Sequence, residues 1–315
     1  MTQFAFVFPG QGSQSVGMLD ALAQARPEVA QTFSEAGEVI GVDLWQLVRE
    51  GPIESLNQTE ITQPAMLAAD IAVWRVWQAL DGPAPEVVAG HSLGEYAALV
   101  AAGAIDFVDA VAIVAERGRL MQEAVPEGKG AMAAILGLDD EVVEAICREV
   151  AEGQIVSPAN YNSPGQLVIA GESTAVERAM HKCLDAGARR AMLLPVSVPS
   201  HCKLMDPAAE QLARRLEQIE IRTPTLDVLH NVNIQSHKKP ENIRKALINQ
   251  MSSPVRWTGT IRAIAARGID RLGECGPGRV LAGLGRRIDK QLAWVALEQP
   301  DAIGTAAAEW REDNA

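Results

Sequence analysis

Ser92 lies at the centre of the pentapeptide Gly90–Gly94 (Gly-His-Ser-Leu-Gly), after an apolar run at 86–89 and before an Ala- and Leu-rich run at 95–102. The first run predicts a strand and the second a helix, and a Gly-x-Ser-x-Gly turn between them is typical of a nucleophile elbow. Such a serine lies at a helix N-terminus, where the helix dipole favours developing negative charge. The alternative is a plain serine cap, which the two glycines disfavour. The pattern therefore predicts covalent catalysis by Ser92.

A nucleophilic serine needs a general base, and the chain has five histidines: His91, His181, His201, His230 and His237. His201 follows Val198-Pro199-Ser200 at a predicted junction between domains, and clefts form at such junctions. The residues favour His201 as the base and leave His230, which could end a strand, as the second candidate.

The apolar run at 4–8 predicts a buried strand, and the glycine loop at 10–14 (Gly-Gln-Gly-Ser-Gln) follows it. One interpretation is a dinucleotide-binding loop, but the G-x-G-x-x-G pattern fails because the last position is Ser15. The other is a turn that presents a backbone N–H to an oxyanion, with the second N–H coming from Leu93, the residue after the nucleophile. We favour the oxyanion interpretation.

Arg117 stands among apolar residues in a long helix predicted over 109–124. It is either a surface residue whose stem lies on apolar neighbours or a buried receptor for a carboxylate. Base rates for arginine favour the surface position. Gly118 beside it indicates close packing or the approach of a ligand.

The composition limits the function classes. The chain has 315 residues, enough for two domains or for one large domain with an insertion. Its net charge of −12 argues against a nucleic-acid-binding surface. The sequence has neither the features of a signal peptide nor an apolar run long enough to span a membrane. Its four cysteines form no C-x-x-C pair, which indicates reduced thiols rather than disulfides or a metal site. We expect a cytoplasmic protein that binds neither nucleic acid nor membrane.

The order of predicted elements indicates an inserted domain. Strands alternate with helices up to residue 124, which is typical of a parallel α/β sheet. The next segment predicts the order β-α-β-β-α-β of a ferredoxin-like unit, with strands at 131–138, 155–161, 166–170 and 190–198 and helices at 140–151 and 173–186. We therefore predict a large α/β domain over 1–127 and 199–315, with a ferredoxin-like domain inserted at 128–198. A last long helix is predicted after Gly278, and the tail from Ala306 is expected to fray.

Eight motifs together resemble one family. They are Phe8–Gln14, Thr62–Ala65, Gly90–Tyr96, Arg117-Gly118, Gly130–Ala134, Asn162–Gln166, Val196–His201 and Gly276–Gly278. In this order they are similar to the malonyl-CoA:acyl carrier protein transacylases, which load malonyl groups in bacterial fatty acid synthesis. The resemblance covers about residues 3 to 300. It implies an α/β-hydrolase-like core that carries a ferredoxin-like insertion.

The resemblance also implies roles for single residues. Ser92 would be the nucleophile and His201 the base, with a backbone carbonyl rather than an acid orienting the histidine. The other implied roles are the oxyanion donors Gln11 and Leu93, the malonyl-carboxylate receptor Arg117, the polar site-lining residues Gln63 and Asn162, and the histidine-orienting carbonyl of Gln250. The implied reaction is a two-step transfer from malonyl-CoA to acyl carrier protein. We expect no metal or other cofactor, and a monomer.

Two rival functions and one docking hypothesis remain open at this point. A serine esterase or thioesterase shares the elbow, but it would need an acid between serine and histidine and has no use for Arg117. A non-enzymatic module that binds carrier protein is disfavoured because the serine, histidine and arginine are all present.

Because the chain is acidic, a carrier protein should dock on a local basic patch. We predict that Arg286 and Arg287 form it, with Arg279 and Lys290 on the same helix face. The patch of Lys182, Arg189 and Arg190 is the alternative.

Overall fold

The structure is a computed structural model that describes residues 3–196 and 198–313. The predicted domains also include residues 1, 2, 197, 314 and 315, which lie outside the described residues. The predicted strand at 190–198 includes residue 197. The strands are β1 (Phe4–Phe8), β2 (Val87–Gly90), β3 (Gly130–Leu136), β4 (Val156–Ser163), β5 (Gln166–Glu172), β6 (Arg190–Leu193), β7 (Asp227–Leu229), β8 (Arg271–Glu274) and β9 (Ala293–Ala296).

The helices up to residue 124 are α1 (Asp20–Ala25), α2 (Pro27–Ile40), α3 (Leu44–Glu50), α4 (Ile53–Leu56), α5 (Thr59–Ala79), α6 (Gly94–Ala101) and α7 (Phe107–Ala124). The later helices are α8 (Asp140–Val150), α9 (Ser173–Asp185), α10 (Asp206–Leu216), α11 (Pro240–Ser252), α12 (Trp257–Ala265), α13 (Val280–Ile288) and α14 (Pro300–Glu312). A 3-10 turn at Lys203–Met205 precedes α10. Within the described ranges, no helix is both long and apolar enough to cross a membrane.

The large sheet has the order β7-β2-β1-β8-β9, and all its strand pairs are parallel. Every residue of β1 and β2 is buried, as expected for strands covered on both faces by helices. Phe8 pairs with Gly90 at the carboxyl ends of these two strands. The glycine loop and the elbow therefore leave the sheet side by side, at the edge where open α/β sheets bind their ligands.

The small sheet has the order β4-β5-β3-β6, and its strand pairs are antiparallel. Helices α8 and α9 pack against it over a separate apolar core. The prediction of a mixed α/β fold with a parallel main sheet and a separate small antiparallel domain is confirmed. Strand β4 is tied to the large domain, because the N–H of Tyr161 donates to the carbonyl of Val255.

Three sequence expectations at element ends were wrong. Pro64 predicts the start of a helix over 65–80, but α5 begins at Thr59, since burial of nearly the whole helix outweighs one missing backbone hydrogen bond. The expected long last helix, α13, ends at Ile288, so Lys290 lies beyond it and cannot share its face with Arg286. The chain turns there to add β9 to the sheet.

From Ala306 to Glu312 the tail does not fray. It belongs to α14, where Trp310 packs its ring 4.5 Å from Phe4 and 5.5 Å from Trp77. Phe4 and Trp77 thus hold this helix in place through aromatic packing. Because both are far from it in sequence, the local sequence pattern does not reveal the contact. Helices α2, α3 and α4 were also not anticipated.

Glycines make the elbow possible. A Cβ on Gly90 would lie 1.8 Å from the carbonyl carbon of Gly94, and a Cβ on Gly94 would lie 2.1 Å from the carbonyl oxygen of Phe8. On the neighbouring loop, a Cβ on Gly10 would lie 2.4 Å from the carbonyl oxygen of His91. Since these contacts are with backbone, no side-chain movement can relieve them, and the loop and the elbow touch only because all three residues are glycine.

Replacing Gly94 tests this contact. Gly94→Ala should lower the free energy of unfolding by at least about 3 kcal/mol, as expected for overpacking against rigid backbone. The matched control is Gly283→Ala in α13, where a Cβ meets nothing within 4 Å. That change should be neutral or stabilise the protein by up to about 1 kcal/mol. Denaturant unfolding measures both, and equal effects would contradict the account.

Candidate active site

The elbow holds Ser92 in a left-handed backbone conformation, with φ of 53°. Non-glycine residues adopt this conformation at a cost of about 1–3 kcal/mol unless their surroundings hold them there. Asn231 does so: its Oδ1 accepts from the Ser92 N–H at 2.7 Å, and its Nδ2 donates to the Gly90 carbonyl at 2.6 Å. The turn therefore keeps the Ser92 hydroxyl pointing into the site.

His201 lies within reach of that hydroxyl, since its Nε2 is 2.7 Å from Ser92 Oγ. Its Nδ1 is 2.7 Å from the carbonyl oxygen of Gln250. A carbonyl oxygen only accepts, so Nδ1 carries the proton and Nε2 is left to accept one from Ser92. This geometry agrees with the pairing that the resemblance implied for Ser92, His201 and the backbone of Gln250.

His201 is buried and neutral. Burial and the nearby charge of Arg117 lower the pKa of its imidazole to about 3. A neutral imidazole is the form that can take the proton of a serine. His230, the second candidate base, lies instead against the buried carboxylate of Glu95, with its Nδ1 2.7 Å from Glu95 Oε1.

Arg117 is buried, with 1% of its surface exposed, so the surface position that base rates favoured is wrong. Its Nη1 donates to Gln63 Oε1 at 2.9 Å, and its Nη2 donates to Gln250 Oε1 at 3.1 Å and to Ser92 Oγ at 3.2 Å. A buried guanidinium beside the nucleophile is suited to a substrate that carries a carboxylate, because its planar fork matches that group.

A cavity of about 110 Å³ opens beside Ser92. Since a water occupies about 30 Å³, this volume suits a short acyl group. The residues that line it are Gln11, His91, Ser92, Leu93, Arg117, Met121, Met132, Asn160, Leu194, Val196, Val198, Ser200 and His201.

Two residues that line this cavity have backbone N–H groups without a partner. Among residues 3–196 and 198–313, neither the N–H of Gln11 nor that of Leu93 donates to another group of the protein. Both belong to the loop and the turn that the glycines bring together. Free N–H groups beside a nucleophile are what an oxyanion hole requires, and this role of Gln11 and Leu93 stays a prediction.

Gln63 and Asn162 lie behind the cavity wall rather than on it. Gln63 is buried against Arg117 and Met121, and Asn162 Oδ1 lies 2.9 Å from His91 Nε2. Contact of either residue with substrate stays a prediction. The sequence interpretation missed Asn160, which lines the cavity, and the group of Glu95, His230 and Asn231 beneath the elbow. Glu95 could have been singled out as an acid directly after the elbow.

Comparison with known proteins decides the family. The model of the acyl transferase domain family matches residues 5–282. A malonyl CoA-acyl carrier protein transacylase of Escherichia coli (strain K12) is 56% identical over 306 residues, which cover 97% of this chain and 99% of the relative. The chain belongs to the malonyl CoA-acyl carrier protein transacylase family.

Other family members agree in sequence and structure. The transacylase of Bacillus subtilis (strain 168) is 43% identical and covers 100% of this chain, with 99% of the relative matched. The structure of the Coxiella burnetii transacylase is 52% identical, with a TM-score of 0.97 and 98% of each chain covered. A malonyl-transacylase in complex with a type II PKS acyl-carrier protein is 56% identical, with a TM-score of 0.97, covering 98% of this chain and 100% of that one.

The low pKa of His201 predicts an unusual pH dependence. Because the neutral imidazole persists as pH falls, acylation of Ser92 by malonyl-CoA should proceed at a constant rate from pH 8 down to about pH 5. Stopped-flow or quench measurement of the single-turnover rate checks this, with circular dichroism confirming that the fold survives. A rate that halves near 6.5, the ordinary histidine pKa, would contradict it.

Proposed function

We propose that the protein transfers the malonyl group of malonyl-CoA to the phosphopantetheine thiol of acyl carrier protein, through a malonyl-Ser92 intermediate, in fatty acid biosynthesis. The family supports this function. The observation that carries it is the position of Arg117, which is buried and whose Nη2 lies 3.2 Å from Ser92 Oγ. An acyl group that ends in a carboxylate can then bind with its carbonyl carbon at the serine and its charge at the guanidinium.

In the first step, His201 Nε2 takes the Ser92 proton as Oγ attacks the thioester carbonyl. The carbonyl oxygen becomes an oxyanion, to which the N–H groups of Gln11 and Leu93 donate. Each such donor typically contributes about 10²–10³ in rate. When the intermediate collapses, the C–S bond breaks, the coenzyme A thiolate takes the proton from His201, and malonyl-Ser92 remains.

In the second step, the phosphopantetheine thiol of the carrier protein gives its proton to His201 Nε2, and its sulfur attacks the malonyl ester. The same oxyanion donors act again. The C–O bond to Ser92 then breaks, and Ser92 Oγ recovers a proton from His201. No redox change occurs in either step, and we expect that neither needs a metal or another cofactor.

The same geometry disfavours an esterase or thioesterase. In the serine hydrolases an acid orients the histidine, whereas here the partner of His201 Nδ1 is the carbonyl of Gln250. The buried charge of Arg117 also has no use in hydrolysis of an uncharged ester.

The finer structural assignments are also proposals. We assign the large sheet to an α/β-hydrolase-like core, because its strands are parallel and the elbow follows β2. The small domain is ferredoxin-like, because its elements run β-α-β-β-α-β into an antiparallel sheet. We keep the boundaries at 128–198, a monomeric state and a cytoplasmic location. All four cysteines are buried and free, which fits a reducing compartment.

The activity is tested by mixing the protein with malonyl-CoA and a purified holo acyl carrier protein. Mass spectrometry of the carrier should show malonyl addition that is lost in Ser92→Ala. Replacing the four cysteines should leave transfer largely intact, because burial raises the pKa of Cys202, the thiol next to His201, to about 12. Release of free malonate at the full rate without a thiol acceptor would instead indicate a hydrolase.

The position of Arg117 predicts that the enzyme prefers malonyl over acetyl groups. Arg117→Ala should lower malonyl transfer by at least about tenfold, the worth of one charge-assisted hydrogen bond, while acetyl transfer should fall little or rise. Arg117→Lys should recover only part of the loss, since an ammonium cannot form the two-pronged contact. Measuring kcat/KM for malonyl-CoA and acetyl-CoA checks this, and equal losses would mean that Arg117 is only structural.

We also propose that carrier protein docks at Arg286 and Arg287. Both are exposed at the end of α13, although Lys290 lies beyond that helix. Arg287 lines a cavity of about 540 Å³ together with Arg189 and Arg190 of the small domain. Parts of the two alternative patches thus form one basic surface between the domains, which suits an acidic partner.

Charge reversal tests the docking surface. Arg286→Glu with Arg287→Glu should raise the KM for carrier protein about tenfold and flatten its salt dependence, because steering is lost. Acylation of Ser92 by malonyl-CoA should not change. Lys182→Glu tests the member of the alternative patch that does not line this cavity; because Lys182 already pairs with Glu149 at 2.9 Å, its reversal should change this KM much less. Equal effects in both proteins would place docking elsewhere.

A further inference from the structure

Glu95 is a fully buried acid that the mechanism above does not use. Its Oε1 lies 2.7 Å from His230 Nδ1, and its Oε2 accepts from the backbone N–H of Asn231 and from Gln250 Nε2, both at 2.9 Å. A buried carboxylate is costly unless it is fully hydrogen-bonded. Here the protein supplies every partner, directly beneath the nucleophile.

The amide of Gln250 connects this carboxylate to the active site. Its Nε2 donates to Glu95 Oε2 and to the carbonyl of Ser92, both at 2.9 Å, and its Oε1 accepts from Arg117 Nη2. An amide has different ends, and Nε2 can only donate. Glu95 therefore dictates which way the amide faces: its oxygen must point at the guanidinium.

Arg117 needs a counter-charge but does not touch one. In the part of the chain that the structure describes, it forms no ion pair with a carboxylate. Its side chain donates hydrogen bonds to the amide oxygens of Gln63 and Gln250 and to the hydroxyl of Ser92, and its guanidinium lies 5.7 Å from the centre of the Tyr96 ring. Glu95 is connected to Arg117 through the Gln250 amide, which bonds to both side chains. A direct Glu–Arg pair would have to break before a substrate carboxylate could bind, whereas this arrangement leaves no carboxylate of the described residues to displace from the guanidinium.

We propose that Glu95 is a positioning residue: through the Gln250 amide it is the buried counter-charge of Arg117, and it sets the preference of the enzyme for acyl groups that end in a carboxylate. The inference rests on the proposed function. It predicts that loss of Glu95 acts on malonyl transfer and not on transfer in general, because an acetyl group makes no use of the guanidinium.

The test is the ratio of kcat/KM for Ser92 acylation by malonyl-CoA and by acetyl-CoA. In Glu95→Gln this ratio should fall at least about tenfold, the worth of one charge-assisted hydrogen bond. The matched control is Glu274→Gln, another fully buried acid, whose carboxylate accepts from the N–H groups of Leu281 and Ala282 rather than from Gln250. Its ratio should equal that of the wild type.

A double-mutant cycle tests the route through Gln250. Gln250→Met keeps the backbone carbonyl for His201 but removes the amide, so it should lower the ratio, and adding Glu95→Gln should then change the ratio no further. If Glu95→Gln does not fold, Gln250→Met decides alone. A ratio that both single variants leave unchanged overturns the inference, as do additive effects in the double variant. Failure of the wild type to acylate with malonyl-CoA would overturn the proposed function instead.

Discussion

The loop after β1 and the turn after β2 touch through their backbones, since Gly94 lies against the carbonyl of Phe8 and Gly10 against the carbonyl of His91. Parallel pairing of the two strands brings their ends to one edge, and the glycines let the two segments approach without side chains between them. One segment carries the nucleophile and Leu93, and the other carries Gln11. If the contact opened, the serine would lose its held conformation, and Gln11 and Leu93 would no longer line one cavity.

The electrostatics of the site follow from burying an arginine beside a histidine. Burial and the charge of Arg117 together keep the imidazole neutral. A neutral imidazole still needs a partner that selects its tautomer, but that partner need not be an acid. The carbonyl of Gln250 does this without adding charge. Under the proposed function, a malonyl carboxylate would neutralise Arg117 on binding. The proton affinity of His201 would then rise only when the correct substrate is in place.

The sequence predicted best what is local. The elbow at Gly90–Gly94 could be recognised because the strand, turn and helix follow one another within a few residues. The sequence also favoured His201 over His230 as the base. The contact itself needed the fold, because each histidine is more than a hundred residues from Ser92. Arg117 was misjudged by base rates, since nothing near it in sequence shows that Gln63 and Gln250 surround it. The packing of Trp310 on Phe4 was not predicted for the same reason, since the two residues lie at opposite ends of the sequence.

The central claim is that Ser92 carries the malonyl group between two thiols. Intact-protein mass spectrometry after mixing with malonyl-CoA alone tests it most directly. The account predicts one added malonyl group, located on Ser92 by peptide mapping, which persists until a pantetheine thiol is added and then disappears. Labelling at Cys202, or undiminished labelling of the Ser92→Ala protein, would contradict it.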